Sequence, residues 1–256
     1  MGKMRIWMVS RKRCRAILWL FGCGLLLVGA SGRYEPASPV LSYVTAGTII
    51  VVDAGHGGPD AGAVSADGVQ EKEVSLQIAN RLTKELTRLG CTVVPVRETD
   101  TDLAGEDFSG TVHERKQTDL RARAELANRN RADLYISVHL NADPSPKWSG
   151  AQTFYERDDA FGEKIGVSIQ NQLKAELGNT RREALAADGY YLMNATDMPT
   201  VIVEAGFLSN PKEAALLQDG LYQQKIAAAI ARGIVDGVIE ETQGSVREEK
   251  ETEKQK

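Results

Sequence analysis

Four side chains in this sequence have the type and the placement to do chemistry: His56, Glu71, His139 and Glu204. His56 lies in the glycine-rich stretch VVDAGHGGPDAG (residues 51–62), directly after an apolar run. His139 falls at the end of DLYISV and Glu204 at the end of TVIV, so three capable side chains leave three separate apolar segments. Glu71 follows SADGVQ at the start of an amphipathic segment, where the positive end of a helix also favours a carboxylate. Two imidazoles and one carboxylate are the usual protein ligands of a catalytic zinc, which keeps a fourth position for water. The second carboxylate is then the base that takes the water proton and passes it to the leaving group, and the reaction is hydrolysis of an amide or ester. A carboxylate beside VIV without a partner is expensive to bury, which favours a specific role for Glu204. Asp53, read as lying on the same loop as His56, is expected either to orient a ligand or to cap the loop. His113, in GTVHERKQ, is read as a solvated loop residue.

Other chemistries fit less well. A phosphate-binding P-loop ends in Gly-Lys-Ser/Thr, which GHGGPDAG lacks. The HGG triplet suits an esterase oxyanion loop, yet no G-x-S-x-G elbow follows. HERKQ at 113–117 lacks the second histidine of the HExxH helix. Cys91 stands at the beginning of a strand, away from the expected active edge, and reads as a small core residue.

The elements that must position these residues alternate. TIIVVDAG is a short β-branched run ended by glycines, as in a strand buried on both faces. Val74, Ile78, Leu82, Leu86 and Leu89 recur at helical spacing, and Gly90 stops the helix. CTVVPVR reads as a second strand; a polar loop, a helix carrying Leu120, Ala124 and Ala127, and the strand DLYISVHL follow. AQTFYER and TVIVEAGF are further strands, and Phe161–Leu177 and Leu221–Ile239 read as helices. The expected fold is a single three-layer α/β domain: a central, largely parallel (mixed) sheet flanked by helices, with the ligand site at the carboxyl ends of the strands.

Composition sets the context. The chain has 256 residues, 42% hydrophobic and 26% charged, enough for one sizeable core. Residues 1–30 join a basic start to the uncharged stretch AILWLFGCGLLLVGA and read as a signal peptide or an N-terminal membrane anchor, which sends the rest of the chain out of the cytoplasm. They hold six basic and no acidic residues, so without them the formal charge moves from −4 to −10. Such an acidic, exported body is unsuited to nucleic acid, and contact with a membrane is expected only through the N-terminal segment. Residues 31–47 read as a linker, 48–240 as the catalytic domain and 241–256 as a charged tail, disordered or a frayed helix.

DAGHGGPDAGA, GVQEKEVSLQIANRL, DLRARAELANRNRADLYISVHLNA and MPTVIVEAGFLSN resemble, in order and spacing, the zinc-dependent N-acetylmuramoyl-L-alanine amidases, over roughly residues 48–240. The resemblance implies one Zn²⁺ per chain held by His56, Glu71 and His139, with Glu204 as the catalytic glutamate. It implies a peptidoglycan substrate cut between muramic acid and L-alanine. ADLYISVHLNADPSPKWSGAQTFY is most similar to the germination-specific, spore-cortex branch of that family. This implies peptide removal from cortex muramic acid, so that a separate deacetylase can help form muramic δ-lactam, and a location outside the cytoplasmic membrane, secreted or anchored, around the cortex of the developing spore. An activating protein partner is left open. A catalytically silent peptidoglycan-binding or regulatory protein on the same fold is the alternative, and it would be expected to lack at least one of the four residues.

Overall fold

The computed structural model describes residues 45–254, with side chains described through 244. The signal or anchor segment and most of the linker lie outside the described residues. Among the described residues no helix is long and apolar enough to cross a membrane.

Six strands form one sheet: β1 (Ile49–Ala54), β2 (Thr92–Pro95), β3 (Leu134–Asn141), β4 (Gln152–Glu156), β5 (Leu185–Ala187) and β6 (Thr200–Phe207), in the order β2-β1-β3-β6-β4-β5. β2, β1, β3 and β6 run parallel, while β4 pairs antiparallel with β6 and parallel with β5. The sheet is therefore mixed but mostly parallel, as its unbroken apolar runs predict. Ile50, Val51, Val52, Val138, Val201 and Val203 are all buried, because helices cover both faces.

On one face α1 (Glu71–Arg88) packs on β1, and α6 (Gly220–Lys254) packs against both α1 and α3 (Ala160–Leu177). On the other face α2 (Val112–Arg129) and α4 (Tyr191–Ala195) enclose a cluster of Val51, Val96, Ala124, Ala127, Tyr135, Leu192 and Met198. A short α5 (Pro211–Leu217) follows β6. The helical spacing of Val74, Ile78, Leu82 and Leu86 buries one stripe of α1. Gly90, at φ 94°, lets the chain turn out of α1 and close Cys91 N–H onto Leu86 O at 3.1 Å. Cys91 is buried beside that turn.

Two local expectations change. The segment around His113 is not a loop but the first turn of α2. Thr111 accepts from Glu114 N–H, and the Glu114 carboxylate accepts from Thr111 N–H, a reciprocal cap that starts the helix well before Leu120. His113 is exposed there, 2.9 Å from the Gln117 amide nitrogen, and is not among the residues that gather around Glu71. α6 also runs past Ile239 to Lys254, through Glu- and Lys-rich sequence that favours helix.

Candidate metal centre

The carboxyl end of β1 carries the chain straight into the His56 loop. His56 itself has φ 62°, a left-handed conformation that is costly for a side chain with a Cβ and persists only where surroundings hold it. Two buried arginines do so. Arg97 donates from Nε to Ala54 O and from Nη2 to Gly55 O, both at 2.9 Å, and from Nη2 to Lys72 O at 2.7 Å, tying the loop to the start of α1. Arg123, from α2, donates from Nη2 to His56 O at 2.7 Å and from Nη1 to Ala54 O at 3.0 Å. Its charge is met by Asp53 (Nη1–Oδ1, 2.5 Å) and Asp119 (Nε–Oδ2, 2.8 Å). Asp53 thus lies on β1 and is bound by Arg123 and the Ser137 hydroxyl, not by a histidine, so its influence on His56 passes through Arg123. Arg123→Ala would leave Asp53 buried without its counterion, and a loss of about 3–5 kcal/mol in unfolding free energy is expected, measurable by urea denaturation.

Glu71, His56 and His139 converge as the sequence predicts. The Glu71 carboxylate stands between the two imidazoles, with Oε2 3.1 Å from His56 Nε2 and Oε1 2.9 Å from His139 Nδ1. The rings lie edge to face with centroids 5.0 Å apart. One donor atom from each of the three lies within 4.8 Å of the others. Backbone amides hold the carboxylate in place: Oε2 accepts from Ala63 N–H and Oε1 from Leu140 N–H, each at 2.9 Å. The approach is too tight for side chains on the neighbouring glycines. A Cβ on Gly55 would stand 2.3 Å from the His139 ring, and one on Gly62 would stand 2.6 Å from Glu71 Oε2. Burial pushes the Glu71 carboxyl up, but the two imidazoles override it and hold its pKa far below the usual range. Burial disfavours a charged His56, yet Asp60, whose Oδ2 lies 2.9 Å from Nδ1, and Glu71 outweigh it and raise its pKa to about 9. An all-nitrogen and oxygen donor set, rigidly held, that gathers positive charge around one buried carboxylate has the chemistry of a zinc or similar divalent site.

Glu204 is separate from this cluster. It lies on β6 in register with His139 of β3 and Gln152 of β4. Its Oε2 is shielded from solvent and has no hydrogen-bond partner among the described residues. Burial, reinforced by the negative charge of Glu71 and opposed by His139 and His56, raises its pKa to about 7. One carboxylate is therefore locked by donors from four sides, while the other is unengaged and close to neutrality.

The sequence and fold that carry these residues have counterparts among known proteins. Residues 50–236 match the Amidase_3 family, N-acetylmuramoyl-L-alanine amidase. The chain belongs to this family. The amidase is 44% identical over 231 residues to the germination-specific N-acetylmuramoyl-L-alanine amidase of Bacillus subtilis, covering 88% of this chain and 95% of that protein. It superposes on the CwlD amidase from Clostridioides difficile, solved in complex with the GerS lipoprotein, with a TM-score of 0.73 and 37% identity over 75% of this chain and 98% of that one. The catalytic domain of CwlV from Paenibacillus polymyxa matches with a TM-score of 0.63 at 29% identity, over 74% of this chain and 97% of that one. The amidase thus has the α/β fold of these structures and acts on peptidoglycan as an N-acetylmuramoyl-L-alanine amidase.

Sequence reasoning missed Arg97, Arg123 and Asp60. An arginine within RARAEL looks like a solvated helix charge, and only the tertiary structure turns it inward.

Proposed function

We propose that this amidase holds one zinc ion through His56, Glu71 and His139, and that Glu204 is the proton carrier of amide hydrolysis. The observation that carries this reading is the pairing of a Glu71 carboxylate bridging two imidazoles with a buried, unpartnered Glu204. His56, Glu71 and His139 would hold the zinc, which when bound would supply Lewis acidity toward water and the scissile carbonyl. Glu204, as carboxylate, accepts a proton from the attacking water and delivers it to the nitrogen of L-alanine as that amide bond breaks. The Ala63 and Leu140 amides orient the Glu71 carboxylate toward the two imidazoles, and the Arg97–Arg123 clamp sets the His56 loop. The hydrolysis requires no covalent enzyme intermediate.

The finer assignment is that the substrate is spore-cortex peptidoglycan, with peptide removal preceding δ-lactam formation. Its support is the identity to the germination-specific relative. We further propose that the chain is exported by its N-terminal segment and works with an activating protein partner, as the relative solved with a lipoprotein suggests. Incubation of the purified protein with cortex and with vegetative peptidoglycan tests the reading. The expected result is release of stem peptides with new L-alanine amino termini, faster from cortex, together with one zinc per chain by elemental analysis. Peptide release without bound metal would overturn the zinc assignment, and protease protection of the domain in intact cells would overturn export.

A further inference from the structure

A second feature of the molecule lies at the same sheet edge as the metal centre and is not used by the reaction. The loop between β3 and β4 leaves the sheet just after His139 and returns at Gln152, which is in register with Glu204. This loop presents Lys147 and Trp148, and beside them Arg181 and Arg182 complete a cleft of about 480 Å³. The Lys147 ammonium stands 5.0 Å from the Trp148 ring centroid, and the Arg182 guanidinium lies 5.7 Å from the same ring and 4.8 Å from that of Phe207. Cation–π contact on these rings holds the charges in place without neutralising them. Lys147 and Arg181 are exposed, and neither forms a carboxylate ion pair among the described residues.

The platform is built, not loose. Arg182 donates from Nε to Ser149 O at 2.9 Å and from Nη1 to Gln152 Oε1 at 3.0 Å. Asn210 donates to Trp148 O at 3.1 Å, and the carboxylate of Glu213 accepts from both Gly150 N–H (2.9 Å) and Phe207 N–H (2.8 Å). Glu213, whose charge Arg182 feels, is thereby committed to backbone amides.

The charge balance gives this cleft a purpose. The chain carries 35 acidic against 31 basic residues, and six of the basic ones lie in residues 1–30, so the domain as a whole is strongly negative. A peptide-bearing glycan is itself anionic, since every uncapped stem peptide ends in a carboxylate, and like charge slows encounter and weakens binding. Three cations gathered beside the reaction edge reverse that repulsion locally.

Resting on the peptidoglycan reading above, we propose that the Lys147–Trp148–Arg181–Arg182 cleft is a substrate-binding subsite that takes stem-peptide carboxylates of the glycan strand being cut. Arg182 and Arg181 supply charge-assisted hydrogen bonds to the carboxylate, and Lys147 adds an ammonium held beside Trp148 at the rim. The strand is thereby anchored at the edge where Glu204 and the metal ligands converge.

The test uses the full chain carrying Glu204→Gln, so that polymer is bound without being consumed. Lys147→Glu and Arg181→Glu are combined, both on exposed side chains, and binding is measured by co-sedimentation with peptidoglycan stripped of teichoic acid. A matched double reversal outside the cleft, at the exposed Lys84 of α1 and Arg121 of α2 (Lys84→Glu with Arg121→Glu), carries the same change in net charge. The expected result is roughly ten-fold weaker binding for the cleft variant alone, with the difference shrinking as salt is raised. Amidating the peptidoglycan carboxylates should weaken the unreversed protein to a similar degree and leave the cleft variant nearly unchanged, the signature of a shared interaction. In the active background the cleft reversals should raise KM for polymer and leave kcat in place. Equal binding by cleft and control variants would overturn the subsite. So would a loss seen only on walls that retain teichoic acid, which would assign the cleft to a phosphate polymer instead. Because binding is scored without turnover, failure of the amidase reaction in the companion assay would strike the zinc reading and leave this result standing.

Discussion

Glu204→Gln is expected to lower the rate of amide cleavage by about 10²–10⁴, the usual worth of a positioned acid–base group, while zinc content and peptidoglycan binding stay near those of the unaltered protein. The contrast follows from geometry: Glu204 is in register with His139 but outside the cluster of His56, Glu71 and His139 donor atoms. Glutamine keeps the size of the side chain and removes its ability to take a proton. The pH profile supplies an independent check. Burial holds the Glu204 carboxyl at about 7 before any metal charge is added. A neighbouring cation favours the ionised form, so in the zinc-loaded enzyme the acid limb of activity should lie below that value. Activity rises with pH through this limb because only the carboxylate accepts the water proton, and the limb should be absent from the residual activity of the Gln variant. Normal turnover in Glu204→Gln would sink the mechanism.

The second large effect concerns the metal. His56→Ala combined with His139→Ala removes two of the three proposed ligands, and the variant should carry no stoichiometric zinc and no measurable amidase activity. Its fold should survive, since both imidazoles are only partly buried, and circular dichroism distinguishes metal loss from unfolding. Retention of one zinc per chain would place the metal elsewhere. The parent protein should also bind zinc more tightly as pH rises. In the metal-free chain Asp60 and Glu71 outweigh burial and keep His56 protonated up to about pH 9, so zinc has to displace that proton. The same shift stabilises the metal-free fold at pH values below the ordinary histidine pKa, and that contribution disappears as pH climbs through about 9. Titrating zinc at several pH values, with release of protons measured alongside, checks both signs.

Much of this arrangement is readable from the chain because a parallel sheet covered on both faces leaves unmistakable apolar runs. TIIVVDAG, DLYISVHL and TVIVEAGF announce β1, β3 and β6, and the polar residues that follow their apolar runs point to His56 just beyond β1 and to His139 and Glu204 in the carboxyl-terminal halves of β3 and β6. What is hidden has physical reasons. β4 reads as a strand, but its antiparallel pairing with β6 depends on the tertiary path of the chain and not on its own residues. β5 and α4, with three and five residues, are too short for a period to emerge. His113 looked like a loop residue because the polar side chains around it mask the Thr111–Glu114 cap. Arg97 and Arg123 are hidden for a different reason. A buried arginine has the same letter as a solvated one, and only the carbonyls of Ala54, Gly55 and His56 turning toward it disclose the clamp.

The strand order carries a kinetic consequence. His139 and Glu204 reach His56 and Glu71 only when β3 has paired with β1 and β6 with β3, each across a long crossover in sequence. Such non-local pairings form late and slowly, after a large loop-closure cost. A denatured or half-folded chain therefore presents scattered donors and no pocket. A zinc ion held as proposed would be a ligand of the finished native state, raising the melting temperature with its free concentration while the pace of refolding stays with the sheet.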